Sequence, residues 1–228
     1  MKPRTVRQTS VILPVLDDPG LRLATVPSLG ASGRRGEEFT YADASLRELD
    51  LADAHLLDGR VLRLRTQRTT LKDLRVDSVE FSGCDLGSLR WSGGKLSRAV
   101  FSDCKLLGAA FDSVAFDSVL FENCKLDYAT FRRARATGPV IFSKCSLAEA
   151  SFARCDLSAA CFDGCGMRRT EFEGGQYRGC DLRNNDLSAV RGLPSLRQVV
   201  IDRAQVLQLA EALVSDLEVS FGEDRLSP

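Results

Sequence analysis

Large apolar side chains recur every five residues along most of this chain, and that recurrence limits what it can fold into. The positions Tyr41, Leu46, Leu51, Leu56, Val61, Leu71, Val76, Phe81, Leu86, Trp91, Leu96, Phe101, Leu106, Phe111, Phe116, Phe121, Leu126 and Phe131 keep the step, with Thr66 as a polar member. One residue is then inserted near Gly138-Pro139, and the series resumes at Phe142, Leu147, Phe152, Leu157, Phe162, Met167, Phe172, Tyr177, Leu182 and Leu187. Two residues before most centres stands a small or slim side chain, such as Ala54, Val79, Ala99, Ala109 or Val119. A step of five matches neither the helical period nor the strand period. It matches a chain that turns a corner every five residues and buries two side chains per side.

A longer period of twenty lies over the first. Phe81, Phe101, Phe121, Phe142 and Phe162 form one set, Leu86, Leu106, Leu126, Leu147 and Met167 a second, and Cys84, Cys104, Cys124, Cys145 and Cys165 a third. Trp91, Phe111, Phe131, Phe152 and Phe172 make a fourth. Four sides of five residues close one square coil, so residues twenty apart stack on the same side of successive coils at about 4.8 Å. From Tyr41 to Val190 this gives roughly seven and a half coils and a rod on the order of 35 Å long at that spacing. Ten of the twelve Phe residues occupy centres, so the interior is expected to be a solid stack of rings.

The flanks depart from the period. Residues 1–38 carry Pro14, Pro19, Pro27, Gly30, Gly33 and Gly36, and read as an irregular lead-in and N-terminal cap with one short strand over Val11–Leu16. At the other end, Gln198–Ile201 reads as a short strand. Asp202 with Gln205 three residues on has the form of a capping box. Val206, Leu207, Ala210, Leu213, Val214 and Leu217 then recur at helical spacing, which predicts an amphipathic helix from Arg203 to about Leu217, with an extended piece over Glu218–Phe221. Its expected work is to cover the open edge of the last coil, to form a dimer with a second such end, or both.

The units Ala44-Ser45-Leu46, Ala54-His55-Leu56, Cys84-Asp85-Leu86, Cys155-Asp156-Leu157 and Cys180-Asp181-Leu182 resemble those of the pentapeptide-repeat family, written A(D/N)LXX. The resemblance implies a right-handed quadrilateral β-helix over residues 39–192, followed by a strand-helix cap over 193–228. Some members of that family bind DNA gyrase or topoisomerase IV and protect it from quinolones by imitating a DNA duplex. The run Ile201-Asp202-Arg203-Ala204-Gln205 is similar to the terminus of a mycobacterial member of that group.

Composition narrows the chemistry. Seven of eight cysteines (Cys155 and Cys180 besides the ladder) occupy the small inward position, where a thiol behaves as a small hydrophobe; only Cys161 falls beside a centre, where it should point outward. No spacing among them fits a metal site. The sole histidine, His55, precedes Leu56 at an outward position, with no nucleophile placed beside it. Asp112 with Asp117, and Asp181 with Asp186, project around corners from one another. Gly93-Gly94 and Gly174-Gly175 fall at corners rather than in a phosphate loop. The expectation is a protein without catalytic, metal or cofactor-binding residues, and the absence of a long apolar run points to the cytoplasm.

Charge separates the remaining functions. Imitating DNA electrostatically needs a strongly anionic face, yet Phe81 to Val190 holds 13 acidic against 14 basic residues. Acidic side chains gather only in the first coils, at Asp43, Glu48, Asp50, Asp53 and Asp58, and these are the candidate partner surface. A basic group follows at Arg60, Arg63, Arg65, Arg68, Lys72 and Arg75. It raises nucleic-acid binding as an alternative, though no aromatic residue is interleaved and the chain's net charge is zero. A gyrase or topoisomerase binder and a scaffold for another protein both remain open, with a homodimer expected in either case.

Overall fold

The computed structural model describes residues 2–29 and 35–219. From Arg35 to Val190 the chain winds as a β-solenoid of about seven turns, its strands stacked parallel with partners twenty residues apart. One stack runs through 35–42, 55–62, 75–82, 95–102, 115–122, 140–143 and 161–163, and the other through 45–52, 65–72, 89–92, 110–112, 130–132, 151–153 and 171–173. The eight-residue strands bend: Asp58, Ser78, Arg98 and Ser118 lie within them with left-handed backbone, and each marks a corner between two sides. The same conformation recurs two residues after nearly every centre, whether the residue is Asp53, Ser88, Asn123, Tyr128, Arg154 or Ala159. Such a conformation costs a non-glycine residue about 1–2 kcal/mol, so stacking, not local preference, holds most corners. At two corners the approach is too close for any side chain: a Cβ on Gly94 would lie 2.1 Å from the Leu74 carbonyl oxygen, and one on Gly175 2.2 Å from that of Cys155.

The extra residue is absorbed where the sequence placed it. Ala115 pairs with Arg135 at an offset of twenty and Val119 with Val140 at twenty-one, so the slip lies between Ala136 and Val140. Below and above it the ladders keep their partners. The Phe81 ladder stacks with ring centroids 4.6–4.9 Å apart through Phe162. The Trp91 ladder runs beside it, and the two meet edge to face at Phe111–Phe121 and Phe142–Phe152. Offset stacks and edge contacts are the arrangements that ring quadrupoles favour. Trp91 carries one defect, since its Nε1 is buried without a hydrogen-bond partner.

The cysteines do more than fill space. Each inward ladder thiol donates a weak hydrogen bond to the carbonyl of a residue in the coil below: Cys104 to Phe81, Cys124 to Phe101, Cys145 to Phe121 and Cys165 to Phe142, at 3.3–3.5 Å. One coil further, Asn185 takes the position and donates to the Phe162 carbonyl at 2.9 Å. All eight cysteines are free. The neighbouring thiols, and then burial, hold Cys84, Cys104, Cys124 and Cys145 far above the ordinary thiol range, which favours the protonated, unreactive form at neutral pH.

Both ends correct the expectations. Residues 2–13 are not irregular: β1 (Lys2–Val6) and β2 (Thr9–Leu13) form an antiparallel hairpin. It lies against the flank of the solenoid, over the strands 95–102, 115–122 and 140–143, and not across the first coil. The first coil is closed instead by Ala24–Thr25, which pair with Phe39 and Thr40, and by buried Leu29. Cys161 does point outward from its coil but is fully buried, because the hairpin covers it.

At the C-terminal end, Gln198–Ile201 forms a single bridge from Val200 to Asp181 rather than a strand. The helix α1 spans Gln205–Asp216 with Ala204 at its N-cap, so Asp202 is not the cap. Gln205 does reach back to the Asp202 N–H, at 2.7 Å. The expected piece over Glu218–Phe221 falls partly outside the described residues.

Candidate interaction surfaces

What a solenoid offers at its open end is unpaired backbone, and α1 docks with the side chains able to satisfy it. Gln205 Nε2 donates to the carbonyls of Leu182 at 3.0 Å and Asn185 at 2.8 Å, continuing by one rung the donor ladder of Cys165 and Asn185. Gln208 Oε1 accepts the Leu187 N–H at 3.0 Å, and Asp216 Oδ2 the Gly192 N–H at 3.2 Å. Gln205 and Ala212 are buried and Leu209 packs on the core, so the docked face follows the spacing 205, 208, 209, 212, 216.

The apolar stripe read from the sequence lies elsewhere on the helix. Val206 is 56% exposed, Leu207 76%, Leu213 42% and Leu217 61%; Ala210 is exposed and Val214 half-buried. Hydrophobicity located the helix and misplaced its docking face, because the end of the rod needs hydrogen bonds more than apolar cover. The polar spacing Gln205, Gln208, Asp216 was the available signal.

The acidic group of the first coils is largely compensated. Arg63 grips Asp43 with two hydrogen bonds of 2.6 and 2.7 Å, and Arg68 pairs with Glu48 at 3.1 Å, in each case one coil apart. The Arg63 guanidinium holds the Asp43 carboxyl below its usual range. Asp50 and Asp53 are exposed and make no ion pair among the described residues. Asp58 is half-buried at a corner, where burial and then Asp77 raise its pKa. The basic group is paired only in part: Arg60 is bonded to Glu80 and Asp17, while Arg65, Lys72 and Arg75 are exposed and make no ion pair among the described residues.

Further along, Lys95 pairs with Asp117, Lys105 with Asp85, and Arg132 and Arg133 both with Asp112. Exposed pairs of this kind contribute little to stability, but they leave the rod without a large field of either sign. Leu107 and Tyr128 are large apolar side chains left 45% and 59% exposed. His55 stands half-exposed between Arg35 and Arg75. Among the described residues there is no cluster of His, Cys, Asp or Glu able to hold a metal ion, and no helix long and apolar enough to cross a membrane.

Parallel strands turning a corner every fifth residue around a filled core define a quadrilateral β-solenoid. Two family models match it, "Pentapeptide repeat region" over residues 114–191 and "Pentapeptide repeats (8 copies)" over residues 80–114, and the chain is a pentapeptide-repeat protein. Among solved structures, a trypsin-treated form of QnrB1, a plasmid-mediated fluoroquinolone resistance protein, is 17% identical. That match covers 79% of this chain and 99% of that one, with a TM-score of 0.45. HetL, involved in heterocyst differentiation regulation in the cyanobacterium Nostoc sp. strain PCC 7120, is 21% identical over 71% of this chain and 80% of that one, with a TM-score of 0.24. Such likeness concerns the fold alone. No curated protein matches the chain.

Proposed function

We propose that the protein is a non-enzymatic interaction module, a rigid rod that dimerises through α1 and presents its sides to a protein partner. One observation carries this reading: the helix that closes the rod spends its polar face on the last coil and leaves Val206, Leu207, Leu213 and Leu217 in solvent. An apolar stripe on a rigid, otherwise charge-balanced body is the feature that self-association removes from water. Among the described residues stacked side chains fill the interior of the solenoid, and the eight free thiols suit a reducing compartment such as the cytoplasm.

DNA gyrase or topoisomerase IV is the partner we name, on the family resemblance and the Ile201–Gln205 run. The paired rungs argue that such binding would use the shape of the rod, with Asp50 and Asp53 as its unpaired acids, rather than a continuous anionic face. Two measurements test the reading. Light scattering coupled to gel filtration should give a dimer for the native chain and a monomer for Leu207→Glu/Leu213→Glu; a native monomer refutes the dimer. Titration into a gyrase supercoiling assay, with and without a fluoroquinolone, should inhibit or rescue at micromolar protein. No effect across that range removes the topoisomerase and leaves a scaffold for another protein. Nucleic-acid binding through the Arg60–Arg75 group is disfavoured, because Arg60, Arg63 and Arg68 are already paired with acids.

A further inference from the structure

On one side of the rod the position just before the Phe centre faces outward, and there four consecutive coils carry Val100, Leu120, Ile141 and Cys161. The ladder begins below at Glu80 and ends above at Asp181. An apolar track on the outer surface of a solenoid has no structural task, since the coils are already filled. It is dry only because the N-terminal hairpin lies on it: Val11 is completely buried against Leu120, Ile141 and Cys161, with Val6 and Leu13 beside it.

The attachment is made by side chains alone. The hairpin's backbone ladder pairs only β1 with β2, and its polar anchors are the ion pairs Arg4–Glu122 at 2.9 Å and Arg7–Asp163 at 3.2 Å, both partly exposed. A two-stranded hairpin is marginal by itself in water, and one held by a few apolar contacts and two screened ion pairs opens at lower free energy than the coils beneath it.

We propose that residues 2–13 are a releasable strap over a docking face, and that the uncovered face takes an extended peptide segment that sets apolar side chains on the track and basic ones on the acids beside it. The strap itself shows the chemistry: apolar residues on the track, arginines on the acids that rim it. A partner of that kind competes with the strap, so the face is open only in proportion to strap release. The inference is independent of the topoisomerase reading and of the α1 dimer, which lies at the end of the rod.

Cys161 supplies the readout, because it is the one thiol shielded by the strap instead of by the coils. Burial, with Asp181 and Asp163 nearby, raises its pKa to about 12; release lowers it and opens a path for a maleimide. In the native full-length chain, mass-resolved maleimide labelling should modify Cys161 before any inward cysteine, and Cys161→Ser should abolish that early product. Val11→Asp should speed the early product at least tenfold, and Arg4→Glu/Arg7→Glu should do so to a smaller extent, with far-ultraviolet circular dichroism of the coils unchanged.

A synthetic peptide of residues 1–16 added to Val11→Asp should slow the labelling again, and the same peptide with both arginines replaced by glutamate should not. Labelling of Cys161 only together with the inward thiols, an unaltered rate in Val11→Asp, or failure of that variant to fold would each refute a releasable strap. Failure of the basic peptide to protect would refute the docking face.

Discussion

Gln205 is the side chain on which closure of the rod depends, and replacing it tests that account most directly. It is 5% exposed and makes three hydrogen bonds, to the carbonyls of Leu182 and Asn185 and from the N–H of Asp202. Gln205→Ala leaves the Asn185 carbonyl and the Asp202 N–H without their partner, while the Leu182 carbonyl keeps its bond from Asn185 Nδ2 at 2.8 Å, and an orphaned buried group costs about 1–3 kcal/mol. Water can reach the end of the rod and satisfy part of the deficit, so we expect a loss of about 2–4 kcal/mol in all. For a chain of this size each kcal/mol lowers Tm by about 2–4 °C.

Because a solenoid transmits stability from neighbour to neighbour, the loss should be concentrated in the last coil. Hydrogen exchange should show the amides of Leu182 and Leu187 losing protection well before those of Phe121 or Phe142. Gln205→Glu sharpens the test. Its carboxylate keeps the bond from Asp202 but faces two carbonyl oxygens, so the folded state favours the protonated acid and the folded pKa rises above the unfolded value. Relative to native protein, the variant should therefore be least destabilised below pH 4 and increasingly so as pH rises through the folded pKa. A Tm for Gln205→Ala within about 1 °C of native, with unchanged exchange, would refute the account, since even one orphaned group exceeds that.

Phe121 stacks between Phe101 and Phe142 at 4.9 Å each, so Phe121→Ala should cost about 3–5 kcal/mol in urea melts and Phe121→Asp should prevent folding. Gly94→Ala would force a Cβ to within 2.1 Å of the Leu74 carbonyl in a left-handed corner, and circular dichroism melting should show a marked loss, whereas Gly108→Ala, with open space around its Cβ, should cost about 1–2 kcal/mol. Trp91→Phe removes the one unpaired buried side-chain donor found among the described residues; the lost volume opposes the gain, and stability should stay within about 1 kcal/mol of native by chemical denaturation.

The coil interior was legible because its signal is local and repeated: a large residue at Phe81, a Cys three residues on, and the same again at Phe101, Phe121, Phe142 and Phe162. Even the slip at Gly138-Pro139 could be read from the displaced period. What could not be read was which surface covers which. The hairpin sets Val6, Val11 and Leu13 on one face, but its target is a row of four outward positions, visible only after the coils are stacked. That row carried a signal, since Val100, Leu120 and Ile141 stand where neighbouring coils have Glu80 and Asp181. The face of α1 was misplaced for a related reason: hydrophobicity marks what avoids water, whereas an open strand edge demands donors and acceptors. The acids Asp43 and Glu48 read as a free anionic patch until the coil brought Arg63 and Arg68 above them.

The corner at every fifth residue gives this chain two separate units of length. Removing five residues from a coil would leave every centre stacked on a centre, yet everything downstream would rotate by a quarter turn about the axis, carrying Cys161 away from the strap side and α1 to a new bearing. Removing twenty would shorten the rod by one storey and leave all bearings intact. Folding is therefore quantised in fives and surface geometry in twenties, so related chains can differ in height by whole storeys while their working faces stay aligned.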